Sequence, residues 1–66
     1  MKAGQMIRLR AYGGQELVRR IVQVNRTHVA VCTESEFVSA QRERREPLTV
    51  GFPVTDVLEV VKSDAT

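Results

Sequence analysis

Residues 6–12 alternate between apolar and polar positions. Ile7, Leu9 and Ala11 share one side, and Met6, Arg8, Arg10 and Tyr12 share the other. A period of two predicts a half-buried strand. Gly13-Gly14 follows, a pair that enters positive φ at little cost and predicts a tight hairpin. The next strand spans 15–24, but it has no single register. Leu17 and Ile21 share one parity, whereas Val18, Val22 and Val24 share the other. A bulge or bend near Arg19-Arg20 would bring Leu17 onto the side of Val22. Asn25-Arg26-Thr27 reads as a polar turn, with Asn25 suited to positive φ. Residues 28–32 predict a third strand, with Val29 and Val31 on one face and His28, Ala30 and Cys32 on the other. Small side chains at Ala30 and Cys32 imply that both faces are covered or that another backbone approaches closely.

Thr33-Glu34-Ser35-Glu36 is a capping-box sequence, in which Thr33 accepts from the Glu36 amide and the Glu36 carboxylate reaches back. It predicts a helix over 34–45. Acidic residues at its start and Arg42, Arg44 and Arg45 near its end suit the helix dipole. Its apolar face is thin, with Phe37, Val38 and Ala40, so it lies on the surface, pinned chiefly by Phe37 and stopped by Pro47. Leu48, Val50 and Phe52 alternate as a fourth strand, and Pro53 cannot donate to a ladder, so pairing is expected to stop there. Residues 54–56 read as a 3₁₀ link and 57–61 as the last strand. The expected core is Ile7, Leu9, Val22, Val24, Val29, Val31, Val50, Phe52 and Val57, with Leu58 beside them.

This order of elements, closing on Gly51-Phe52-Pro53, a one-turn link and Val57-Leu58-Glu59-Val60, resembles the SH3-like small barrels, a group that includes SH3, Tudor, KOW and Sm-like domains. The resemblance implies a mainly β fold: a five-stranded barrel with one short helix inserted between strands 3 and 4. Closure would remove the exposed sheet edges. Thr49-Val50-Gly51-Phe52-Pro53-Val54 is also similar to the pore segment of the plasmid-encoded type II dihydrofolate reductases, Val-Gln-Ile-Tyr followed by Pro-Val. Pro53-Val54 matches, but Val50 stands at the glutamine and Phe52 at the tyrosine. Both polar groups are missing, so the similarity supports the fold and argues against that activity.

The 66 residues make one domain, with an ordered core expected over about 5–62. Hydrophobic residues at 42% and charged residues at 27% are globular values. No apolar run is long enough for a membrane span or a leader, and a cytoplasmic protein is expected. Cys32 is the one cysteine, so no internal disulfide can form. A small core without disulfides favours self-association, as a dimer or small ring. Cys32 itself lies in the apolar run 29–32 and reads as a buried small hydrophobe.

The net charge of +2 permits nucleic-acid binding without demanding it. Arg8 and Arg10 share a strand face with Tyr12, with Arg19 or Arg20 on the neighbouring strand. An aromatic among arginines on a sheet face can stack bases and contact phosphates; the same pattern also describes a solvated face. Arg42-Glu43-Arg44-Arg45-Glu46 reads either as a solvated helix end or as a docking surface for an acidic partner. His28 reads as a surface histidine. With about 13 Å separating it from Cys32 along a strand, the two form no dyad. Gly13-Gly14 lacks the Lys and Ser/Thr of a phosphate loop. No cofactor, metal ligand set or catalytic group is expected. Three functions stay open: a protein-interaction or self-assembly module, a nucleic-acid-binding barrel, and an enzyme with its site at an oligomer pore.

Overall fold

Alternation in the first segment produces a strand whose Ile7 and Leu9 are fully buried while its polar residues face out. The computed structural model describes residues 1–62. They form β1 (Met6–Arg10), a 3₁₀ turn (Tyr12–Gly14), β2 (Glu16–Val24), β3 (His28–Cys32), α1 (Glu34–Glu43), β4 (Val50–Pro53), a second 3₁₀ turn (Val54–Asp56) and β5 (Val57–Lys62). The fold is mainly β, with five antiparallel strands and one short helix between β3 and β4, as the sequence predicts. Strand order across the sheet is β4-β3-β2-β1-β5. β4 and β5 are its two edges, and among the described residues no ladder joins them.

The inner face carries the core: Ile7, Leu9, Ile21, Val29 and Val31, with Leu17, Val24, Phe52 and Val57 packed against it. Ile21 replaces Val22 because the bulge sits two residues later than the sequence suggests. Ile21 pairs with Val31 and Gln23 with Ala30, so Val22 is the extra residue of β2. Leu17, Arg19 and Ile21 therefore keep one parity, and Val24 joins them after the bulge. Two bulges in β5 act in the same way. Arg8 pairs with Glu59 and Leu9 with Val57, which makes Leu58 the extra residue and leaves it 37% exposed. Val50, also expected in the core, is 61% exposed because it lies on the open edge.

β1 ends at Arg10 rather than Tyr12. The Ala11 N–H donates to the Gln15 carbonyl at 2.6 Å, and Gly13 and Gly14 take positive φ of 81° and 82°. The Asn25 turn works differently from the expectation: Asn25 does not take positive φ. Its side-chain oxygen accepts from the Thr27 and His28 amides, both at 2.9 Å. Pairing also passes Pro53, which lies opposite His28, and the Val54 N–H donates to the Thr27 carbonyl at 2.8 Å.

Only half of the capping box forms. Thr33 Oγ1 accepts from the Glu36 N–H at 3.1 Å, but the Glu36 carboxylate turns away towards Arg45 and Leu48. α1 ends at Glu43, before Pro47, because Arg44 adopts the left-handed conformation at φ 56° and the Arg45 N–H returns to the Ala40 carbonyl. A side chain at such a position costs energy that glycine avoids. Arg44→Gly should therefore stabilise the protein by about 0.5–1 kcal/mol, read as a higher urea midpoint with an unchanged slope. Among the described residues no helix is long and apolar enough to cross a membrane.

Candidate functional site

Cross-strand partners share a face of the sheet, so the register places each arginine. Arg8 lies opposite Val18, Arg10 opposite Glu16 and Met6 opposite Arg20, all on the outer face. Arg19 lies opposite Ile7, on the inner face. Tyr12 leaves the strand for the 3₁₀ turn and is 99% exposed at its tip. The five residues singled out from the sequence are thus not one surface. Arg8 is clasped by two carboxylates, Glu16 at 3.5 Å and Glu59 at 3.1 Å, which offset its charge. Arg20 is buried. Its Nε donates to Glu34 at 2.7 Å, its Nη1 to the Gly4 carbonyl at 2.6 Å, and its guanidinium lies 4.7 Å from the centre of the Phe37 ring. It tethers α1 and the N-terminal turn to β2.

The inner face opens instead into a groove of about 270 Å³ between β2, β3, the start of α1 and β4. Leu17, Val31 and Phe52 line it, and Leu48 and Val50 form its rim, exposed by 78% and 61%. Two charged side chains reach it, Arg19 and Glu36. Glu36 is fully engaged. It binds Arg45 Nη1 at 2.6 Å and the Leu48 N–H at 2.9 Å. Arg45 also holds Glu43 at 2.6 Å. The alternating charges at the end of α1 therefore tie the helix to the segment that leads into β4. The Leu48 amide, drawn to Glu36, explains why β4 starts at Val50 rather than Leu48.

The Arg45 guanidinium and the Leu48 amide hold the Glu36 carboxyl below its ordinary value, with Arg45 the larger cause. A group with a lowered folded pKa contributes stability above its unfolded pKa and loses it as pH falls through the folded value. Acidification below about pH 4 should therefore loosen the link between α1 and β4, and Glu36→Gln should remove that part of the acid sensitivity. Thermal melts of the two proteins at neutral and acid pH measure it.

Cys32 is buried, and that burial pushes its thiol pKa up. A raised pKa keeps the thiol protonated at neutral pH and unreactive. His28 is exposed, and its ring Nδ1 lies 3.0 Å from Thr27 Oγ1. Among the described residues no three of the His, Cys, Asp and Glu side chains gather where a metal ion could sit.

The sequence puts Leu48, Val50 and Phe52 on one face, with Val50 and Phe52 expected in the core, but it does not reveal the groove, because alternation gives the face of a residue and not whether another element covers it. The parity of Arg19 with Leu17 and Ile21 was the available signal that Arg19 turns inward. No protein-family model, curated protein or solved structure matches the chain.

Proposed function

We propose that this chain is a small non-enzymatic binding module that engages another protein at the β4 edge and the adjoining groove. The carrying observation is the pair Leu48 and Val50, bulky aliphatic residues left 78% and 61% exposed on the rim of an apolar groove. Exposed aliphatic side chains gathered at one place favour a protein contact. The edge beside them also supports an added strand. The Val54 N–H points to Thr27, so antiparallel alternation turns the N–H and C=O of Gly51 outward. A partner strand would pair with that edge and place alternate side chains in the groove. Pro53, which has no N–H, limits how far the pairing extends.

A meander of four strands, β1 to β4, with β5 returning to β1 supports the reading of the chain as an SH3-like small barrel. Self-assembly is the second reading, favoured by the two open edges, β4 and β5. A nucleic-acid surface at Arg8, Arg10 and Tyr12 has less support, because Arg8 is already paired with two carboxylates.

Selection of random displayed peptides on the immobilised protein tests the proposal. Peptides rich in aliphatic residues should be enriched on the wild type and lost on the Leu48→Asp, Val50→Asp double variant, whose exposed substitutions should leave the circular dichroism spectrum unchanged. No enrichment, or enrichment indifferent to the double variant, overturns it. Light scattering that shows a stable oligomer dissociated by the same double variant would assign this edge to self-assembly instead.

A further inference from the structure

The groove has a charge that the protein itself does not answer. Arg19 lies on the inner face, opposite Ile7, and lines the groove beside Leu17 and Phe52. Among the described residues its guanidinium donates only to the neighbouring Val18 carbonyl, at 2.8 Å, and pairs with no carboxylate. The other arginines close to carboxylates are satisfied: Arg8 by Glu16 and Glu59, Arg20 by Glu34, Arg45 by Glu36 and Glu43. Glu36, the one acid lining the groove, is held by Arg45 and the Leu48 amide. Arg45 takes up both Glu36 and Glu43, so Arg19 is the groove cation that no carboxylate answers among the described residues. Guanidinium has five donors in a fixed plane, of which the Val18 carbonyl uses Nη1. Its fork matches a carboxylate.

We propose that the groove takes an extended segment of a partner protein in which an aspartate or glutamate accompanies aliphatic residues, the carboxylate binding Arg19 and an aliphatic side chain filling the space beneath Leu48 and Val50. This inference rests on the protein-interaction reading above and names the chemistry of its partner. The apolar walls supply contact area, and Arg19 supplies the selection. A carboxylate placed against a guanidinium with apolar walls on either side is screened less than one on an open surface. A segment with lysine at that position would bring like charges together and be rejected.

The test extends the displayed-peptide selection to Arg19→Gln and Arg19→Glu, each checked for an unchanged far-ultraviolet spectrum and a cooperative melt. The wild type should enrich peptides with an acidic residue at a fixed position relative to the aliphatic ones. Arg19→Gln should keep the aliphatic preference and lose the acidic one, and Arg19→Glu should replace the acid with lysine or arginine. For the most enriched peptide, synthesised with a fluorophore, changing its acid to the amide should weaken binding to the wild type about tenfold. The same Arg19→Gln substitution should then make acid and amide peptides equivalent. The amide comparison uses the wild-type protein alone, so it holds even where a variant fails to fold. Aliphatic enrichment without acid, or an acidic preference that survives Arg19→Gln, overturns this inference and leaves the interaction module standing. Failure to enrich any peptide, or enrichment unaffected by the Leu48→Asp, Val50→Asp pair, overturns both.

Discussion

Ile21→Ala should cost about 3–4 kcal/mol, whereas Val22→Ala, next to it in the chain, should cost about 1 kcal/mol or less. Ile21 is fully buried among Ile7, Leu9, Val29 and Val31, and Val22 is half-buried as the extra residue of the β2 bulge. Truncation at Ile21 removes three carbons from the centre of the sheet's inner face, where the flanking strands are fixed by their ladders and cannot collapse into the space. A chain of 66 residues holds about 3–10 kcal/mol of folding free energy in all. The loss at Ile21 is thus a large part of the whole, and urea unfolding should show a sharply lower midpoint. Equal losses at the two positions would place the bulge elsewhere.

Arg20→Ala should have the next largest effect, about 2–3 kcal/mol. The substitution strands the Gly4 carbonyl, frees Glu34 and takes the cation from the Phe37 ring. Glu34 itself stays half in water, at 52% side-chain exposure, so its lost partner contributes little. Glu34→Gln should therefore cost much less than Arg20→Ala, about 0.5 kcal/mol. Arg20→Met, which keeps an apolar stem against Phe37, should fall between them. Chemical denaturation of the three variants orders them, and equal losses for Arg20→Ala and Glu34→Gln would mean that the ion pair alone sets the value of Arg20.

How much of this was readable beforehand depended on the kind of signal. Clean alternation in 6–10 and 28–32 located β1 and β3 and the buried faces of both, since period two leaves no second choice. The start of α1 was readable from Thr33, because a side-chain oxygen before Glu34 and Glu36 has one obvious use. The end of α1 was not: Pro47 was the visible stop, yet Arg44 turned the chain three residues earlier through backbone bonds that carry no residue signature. Bulges at Val22 and Leu58 were likewise invisible, because an extra residue on one strand shows only against its partner strand.

The candidate site divides in the same way. Arg8 and Arg10 share the outer face as the alternation implies, but the charge of Arg8 is offset by Glu16 and Glu59, which lie on two other strands. Burial of Arg20 followed from its contact with a helix more than a dozen residues away. The groove has no local pattern at all. It arises because β4 is an edge, so Leu48 and Val50 alternate like core residues without anything packed over them.

The central claim is that the β4 edge and the inner-face groove are the working surface. The most direct test is a nuclear magnetic resonance titration of nitrogen-labelled protein with the most enriched displayed peptide. Amide signals of Val50, Gly51 and Phe52 and the Arg19 side-chain Nε signal should move together with a single affinity. Shifts gathered instead on Arg8, Arg10 and Val18, across the sheet on its outer face, would contradict the account.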